Sequence, residues 1–440
     1  SGYSGRRTVM SVQTKIQSAF EDKNKDLLQE CIHCGFCLPA CPTYTLNGNE
    51  ADSPRGRLYL MEAFSQGKLD ATESLHRHLD LCLVCRACET ACPSGVQFGS
   101  LMESAREALL PTKQKRHPAL AFLEKAVTSH MRLSSLMKVG RVYQKSGLHW
   151  LTTHTFLRYL VPASMRSGNE SLTTIPKKRF GKEETQIFPA RSKKLGAVTL
   201  FTGCLMDHLF SHVHEATVRI LTWNGYEVVV PGKQTCCGAL HAHSGDIATA
   251  DILAQDQFQL LGETEPDAII VNAAGCGARL KDYGRFAAGD GQTLTSAPKV
   301  RDLTEFLAAI ELRPPEGKLE MRVVYDEPCH LLHAQGISAE PRQLISAIPG
   351  ITLLPLQESD FCCGSAGSYS LTESETSLAI LERKMEHISA AGADAVITAN
   401  PGCQIQLAWG ARRNGLKVEI LHIAELLDRA YGLQTTYISK

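Results

Sequence analysis

Two short cysteine runs carry the strongest chemistry in this sequence. One is Cys31, Cys34, Cys37 and Cys41, followed by Pro42; the other is Cys82, Cys85, Cys88 and Cys92, followed by Pro93. Both follow C-x2-C-x2-C-x3-C-P, a spacing suited to cubane iron–sulfur clusters. A cubane needs four thiolates at tetrahedral corners. Three cysteines at two-residue intervals wrap one face of it in a tight loop. The fourth lies beyond that loop, and the proline turns the chain away, so the fourth is expected to reach the other cluster. Cys31, Cys34, Cys37 and Cys92 are therefore expected to hold one 4Fe–4S cluster, and Cys82, Cys85, Cys88 and Cys41 a second. Crossed ligation would keep the two clusters close, as an electron relay requires. Structural zinc is the competing chemistry, because CxxC pairs also bind zinc; two complete runs ending in proline argue against it. His33 lies between two ligands of one run and reads as a loop residue.

The remaining eight cysteines form two matched sets: Cys204, Cys236, Cys237 and Cys276, then Cys329, Cys362, Cys363 and Cys403. First cysteine to pair is 32 residues in one set and 33 in the other; pair to last is 40 and 41. In each set a β-branched run precedes the first cysteine (VTLFTGC, VVYDEPC), another precedes the pair (YEVVVP, ITLLPL), and a third precedes the last (DAIIVNAAGC, DAVITANPGC). This is an internal repeat of two similar modules. Adjacent cysteines serve one tetrahedral zinc poorly, but can reach different irons of a cluster or form a redox disulfide. Buried structural thiols are the plain alternative. These eight are further candidate ligands. His241, His243, His330 and His333 lie near them and read as structural or surface residues.

The elements that must position these cysteines follow from the pattern around them. Each module alternates short strands with helix-length segments, the mark of α/β units with parallel strands. The cysteines fall at strand-to-loop junctions, where open α/β sheets bind ligands. Around the first runs, Ser53-Pro54 reads as N-cap and first residue of a helix over Arg55–Phe64, and a second helix is expected over Thr72–Leu81. Arg55, Arg57 and Tyr59 on the first of these read as a solvated face, the alternative being that they face a partner or a cluster. Leu120–Leu160 has helical periodicity, whereas residues 164–194 are rich in Lys, Ser, Thr and Gly and read as a linker. The expected fold is a multidomain α+β chain. A helical two-cluster domain spans 20–111, a helical segment and linker 112–195, and the two cysteine-rich modules 196–312 and 320–430.

Composition narrows the class. The 440 residues hold 46 Lys plus Arg against 46 Asp plus Glu, without the basic footprint of a nucleic-acid binder. No apolar run reaches the ~18 residues needed to span a bilayer. The opening Ser1–Arg7 is polar with no apolar segment behind it, and Met10 is the expected natural start. Sixteen cysteines in so long a chain point to a reducing cytoplasm and metal or redox chemistry. Neither a GxGxxG fingerprint with its acidic residue nor a P-loop occurs.

Together these motifs resemble the iron–sulfur subunits of bacterial glycolate oxidase. More widely they resemble proteins with two CCG cysteine-rich domains: small subunits of anaerobic glycerol-3-phosphate dehydrogenase, lactate-utilisation proteins and heterodisulfide reductase subunits. The segments carrying the likeness are HCGFC…CPTY, SPRGRLYL, CLVCRACETACPSGV, GCGARLKDYG, FCCGSAGSY and ANPGCQIQLA. The resemblance implies an oxidoreductase subunit with no flavin and no catalysis of its own. Partner oxidase subunits would carry FAD, and electrons would cross the clusters to an acceptor such as a membrane quinone. The location would be cytoplasmic, or peripheral on the inner face of the membrane. One departure stands out: Arg279 and Gln406 occupy the places where heterodisulfide reductases carry a fifth cysteine. That argues against a five-cysteine cluster and disulfide-reducing catalysis, and leaves open a four-cysteine cluster in one or both modules.

Overall fold

The computed structural model describes residues 12–113, 116–161, 163–286, 299–315 and 317–433; the start expected at Met10 lies outside these. They form two compact units, one of residues up to 116 together with His241–Ile247, the other of residues 117–240 and 248 onward.

The first unit is helical, with no strand among its described residues. Ser53 caps the helix Pro54–Ser65, its hydroxyl accepting the Gly56 N–H, and Thr72 caps Glu73–Asp80 by accepting from Leu75 N. Each cap satisfies an amide that the first helical turn leaves without a partner. Leu58, Met61 and Phe64 on the first helix and Leu75 and Leu79 on the second repeat at three- or four-residue spacing. They pack with Phe20, Leu101 and Met102 into one core, as amphipathic helices do. Arg106, nearly buried, donates to the carbonyls of Leu79 and Cys82, both at 2.7 Å, and of His243 at 2.6 Å. His243 in turn bonds Glu103 at 2.9 Å.

The second unit holds two sheets. Strands β1 (Gln186–Phe188), β2 (Gly196–Phe201), β3 (Tyr226–Val230), β4 (Ala268–Val271) and β5 (Val300–Asp302) lie in the order β1-β3-β2-β4-β5. Strands β6 (Met321–Tyr325), β7 (Ile351–Leu353), β8 (Ala395–Thr398) and β9 (Glu419–His422) lie in the order β7-β6-β8-β9. Apart from β1, which pairs antiparallel with β3, every pairing is parallel, so the two modules repeat one topology. Strand alternation sorts the core. Val198, Leu200 and Ile270 join Val323, Tyr325 and Ile397 in one core shared by both modules. Their neighbours Phe201, Ile269 and Val271 face a second core, and Val324 and Val396 a third. The repeat extends to the caps: Asp302 with Glu305, and His422 with Glu425, form capping boxes after β5 and β9.

The helical stretch expected over Leu120–Leu160 is broken into pieces: Pro118–Val127, His130–Lys145, Leu148–His154 and a 3-10 turn Phe156–Leu160. Extended backbone at Ser129 and Thr155 and left-handed Gly147 interrupt it. The linker expected over 164–194 is not an open connector. A helix covers Ala163–Ser171 and β1 joins the first sheet; a three-residue strand is too short to show a period against its polar surroundings.

Candidate metal centres

The first two cysteine runs fold into the same loop twice. Left-handed backbone occurs at His33 (φ 55°) and Gly35 (φ 85°), and at the matching Val84 (φ 54°) and Arg86 (φ 64°). The turn bonds match as well: Leu38 N to Gly35 O at 3.0 Å, against Glu89 N to Arg86 O at 2.9 Å. A β-branched residue in that region is strained by about 1–3 kcal/mol, so the surrounding fold imposes this winding on Val84. His33 is a loop residue, as its place in the run suggests.

Two cysteine-lined cavities result. Cys31, Cys34, Cys37 and Cys92 line one, with Cys88, Leu58 and Phe98. Cys41, Cys82, Cys85 and Cys88 line the other, with Arg57 and Phe98. Each cavity thus draws the last cysteine from the opposite run, and Cys88 borders both. Soft thiolates in such numbers suit iron–sulfur clusters, so the donor set fits two cubanes. Burial pushes the Cys37 and Cys88 thiols up, so they are poor thiolates without a metal to hold.

Arg57 is the residue that reading the sequence misplaced. Far from facing solvent, it is 1% exposed. It donates to His78 O at 2.7 Å and Thr43 Oγ1 at 3.1 Å, and its Nη1 lies 3.9 Å from Cys41 Sγ. Asp52, also buried, sits 3.8 Å away. Arg55 stays nearer the surface on Glu50, with a bond to His33 O at 3.3 Å, and Tyr59 is exposed. Arg57→Met leaves Asp52 short of its guanidinium partner; the expected cost is about 3–5 kcal/mol, measurable as a lower unfolding temperature of the iron-loaded chain.

In the modules the cysteines stand at the C-terminal ends of the strands. Cys204 follows β2 and Cys329 follows β6. The pairs Cys236-Cys237 and Cys362-Cys363 come after β3 and β7. Cys276 and Cys403 lie in the first turns of helices Ala274–Phe286 and Pro401–Arg413, after β4 and β8. The chain leaves β2 for β3 on one side and leaves its neighbour β4 for β5 on the other, so the crevice at the ends of β2 and β4 is a topological switch point, the usual ligand site of an open α/β sheet. Within each set the sulfurs converge. Cys236 bonds Cys204 and Cys237, and Cys237 Sγ lies 3.3 Å from Cys276 Sγ. Cys362 bonds Cys329 and Cys363, and Cys363 bonds Cys403. None is in a disulfide.

Sharing protons with neighbouring thiols, and burial, push Cys236, Cys276, Cys362 and Cys403 well up. The same sharing pulls Cys237 and Cys363 well down, helped by buried Arg279 and Lys384 respectively. Each set is thus a compact cluster of soft ligands with a buried cation beside it.

Glycine closes each pair. Gly238 (φ 83°) and Gly364 (φ 85°) donate their N–H to Cys236 Sγ and Cys362 Sγ, both at 3.4 Å. A Cβ at Gly364 would lie 2.6 Å from Ser377 O. Gly364→Ala is therefore expected to cost roughly 2 kcal/mol or more and to pull Cys362 away from Cys363, seen as a lower unfolding temperature and less metal bound.

The fifth-cysteine positions are filled by buried polar groups turned to other partners. Arg279 bonds Asp251 at 3.3 Å and stacks over Tyr283; Gln406 donates to Ser377 Oγ at 3.0 Å. His243 belongs to the first unit on Glu103, and His333 reaches Asp360 O at 3.4 Å. His241 is buried. His330 faces the backbone at Gly275. Reading the sequence missed Lys384, fully buried on Asp326 at 3.0 Å, since a lysine in an amphipathic helix reads as its wet face. It also missed Asn400, which accepts from Gly275 N at 3.4 Å and donates to Cys403 Sγ at 3.4 Å, linking the cysteine-bearing turns of the two modules.

One further group, His130, Asp207 and His208, brings ligand atoms within 4.8 Å of one another. The Arg179 guanidinium lies 3.5 Å from Asp207 Oδ2. Burial and that charge hold His130 down to about 4, and burial, His130 and Arg179 hold His208 there too. A cation already sits against the carboxylate.

Comparison with known proteins agrees with this geometry. Residues 27–96 match a 4Fe-4S dicluster domain, and residues 198–281 and 323–408 each match the CCG cysteine-rich domain. The probable glycolate oxidase iron-sulfur subunit of Bacillus subtilis (strain 168) is 36% identical over 96% of this chain and 98% of its own length. The chain belongs to the glycolate oxidase iron–sulfur subunit family. The Escherichia coli (strain K12) glycolate oxidase iron-sulfur subunit is 31% identical over 92% of this chain and 94% of its own. A solved structure of a hypothetical protein from Helicobacter pylori shares the fold, with TM-score 0.53 at 10% identity over 95% of this chain and 77% of that one. Members of this family are subunits of an oxidoreductase, and the chain carries the family's dicluster and cysteine-rich domains in full order.

Proposed function

We propose that the chain is the electron-transfer subunit of a flavin-dependent oxidase of glycolate or a similar 2-hydroxy acid. Partner subunits bind FAD and oxidise the acid; this chain carries the electrons to an acceptor such as a membrane quinone. Cys31, Cys34, Cys37 and Cys92 hold one 4Fe–4S cluster, and Cys82, Cys85, Cys88 and Cys41 the other. Such clusters supply one-electron steps between a two-electron flavin and its acceptor. What supports the reading most is the pair of cysteine-lined cavities, each closed by the last cysteine of the opposite run. Arg57 beside Cys41 and Arg106 on the Cys82 carbonyl place fixed positive charge near the second site. The module cysteines hold a further iron–sulfur cluster in this reading, with Arg279 and Lys384 offsetting the thiolate charge.

Co-purification from the native host, with metal counts and paramagnetic resonance after reduction, tests this. The expected result is a brown protein bound to flavin subunits, with no hydroxy-acid turnover by the isolated chain. At about four irons per cluster, roughly eight per chain means only the first pair is filled, and roughly twelve or more means the modules are filled too. Zinc in place of iron, or turnover by the chain alone, would overturn the proposal.

A further inference from the structure

The stretch between Glu124 and Glu170 is unlike the rest of the chain. Its 45 residues contain seven basic side chains (Lys125, Arg132, Lys138, Arg141, Lys145, Arg158 and Arg166) and no Asp or Glu, where the chain average would give about five acids. Among the described residues none of the seven takes part in an ion pair. The same stretch carries large apolar side chains in solvent. Met131 is 80% exposed, Val142 68%, Trp150 58%, Phe156 79%, Tyr159 67% and Leu160 77%.

These exposed groups sit on anchored elements. Helix His130–Lys145 buries Leu133 and Met137 in the core shared by the modules, and turns Met131, Lys138, Val142 and Lys145 outward. The Tyr143 hydroxyl bonds Thr152 and Asn169, and Gln144 donates to Thr173 O at 2.7 Å. These bonds tie the helix to Leu148–His154 and to Ala163–Ser171. Arg158 on the 3-10 turn Phe156–Leu160 and Arg166 on helix Ala163–Ser171 both lie over the Tyr159 ring, at 5.3 and 5.5 Å.

We propose that this surface, helix His130–Lys145 with the turns to Leu160, docks on an anionic bilayer surface. Scattered apolar residues on a protein surface need no explanation. This set differs because Trp, Tyr, Phe and Leu are interleaved with unpaired Lys and Arg and no acid. That combination suits the interfacial zone: aromatic rings settle at headgroup depth, apolar tips enter the acyl boundary, and cations meet anionic headgroups. No helix among the described residues is long and apolar enough to cross a membrane, so the surface would lie on the bilayer rather than span it. A protein partner is the other occupant to consider; a 45-residue stretch without one carboxylate is complementary to a uniformly anionic plane more than to a protein surface of mixed charge.

Flotation of the purified iron-loaded chain with vesicles tests this. Binding is expected to vesicles of mixed phosphatidylglycerol and phosphatidylcholine, and not to phosphatidylcholine alone, and it should weaken steeply with salt. The triple variant R132E/K138E/K145E should lose on the order of 100-fold in affinity, taking each cation as about 1 kcal/mol. W150A/F156A should weaken binding at every salt concentration. Unchanged iron content and unfolding temperature would show that both variants fold. Equal binding to neutral vesicles, no binding to anionic ones, or full binding by the triple variant would overturn the proposal. So would loss of a co-purifying flavin subunit from the triple variant with vesicle binding intact. Because these residues lie outside the cysteine sites, failure here leaves the electron-transfer reading to its own iron counts.

Discussion

Replacing Cys92 by serine is expected to remove about four irons per chain, and adding Cys31→Ser to it to remove no more. Adding Cys82→Ser to Cys92→Ser instead should remove about eight. The prediction follows from which cysteines share a cavity: Cys92 lies with Cys31, Cys34 and Cys37, whereas Cys82 lies with Cys41 and Cys85. Residues acting on one object show non-additive effects, and those acting on separate objects add. Ligation confined to each run would reverse the pattern, since Cys92 and Cys82 would then serve one cluster. Iron analysis and spin counts on the three variants decide between the two. Cys41→Ser with Cys85→Ser gives the mirror experiment. Cys88, which borders both cavities, should still behave as a partner of Cys82 in such a cycle.

How much of this was legible in the sequence depends on what kind of signal each part leaves. The cysteine runs are local: spacing alone dictates a loop, and the loop forms twice with the same left-handed positions. The β-branched runs before Cys204, Cys276, Cys329 and Cys403 are equally local, and β2, β4, β6 and β8 fall there. Strands β1, β5 and β9 are as short as β4, β7 and β8 but lead to no cysteine that marks them, and three or four residues show no period of their own. Burial of charge is the least legible of all. Arg57 and Lys384 look like the wet faces of amphipathic helices. Only the assembled fold shows that each is closed in against an aspartate, Asp52 and Asp326, and close to a cysteine set.

The same holds for a buried histidine pair that joins the modules, and here the expected effect is large. Lowering the pH from 7 to 5 should cost the second unit roughly 4 kcal/mol of stability. His214 and His422 are fully buried, and both meet Asn272. His422 Nε2 donates to Asn272 O at 2.9 Å while its Nδ1 accepts the Ala424 N–H at 3.1 Å, capping the helix after β9. His214 Nε2 donates to Thr202 O at 3.1 Å while its Nδ1 accepts from Asn272 Nδ2 at 3.1 Å. Both rings are therefore neutral with the proton on Nε2, and a second proton on Nδ1 would face a donor. Burial depresses His214 to about 3 and His422 to about 4. In the unfolded chain each titrates near 6.5. Between those values the unfolded state binds protons that the folded state refuses. Stability is thus complete above about pH 6.5 and falls as the pH drops toward 4, by about 2 kcal/mol per histidine at pH 5. His422→Asn keeps a capping side chain without the titration, so the difference in unfolding free energy between pH 7 and pH 5 should shrink by about half relative to the unmodified chain. Comparing the two slopes cancels the acid lability of the clusters, which both proteins share. Equal slopes would mean that the histidine pair is not what makes the modules acid-sensitive.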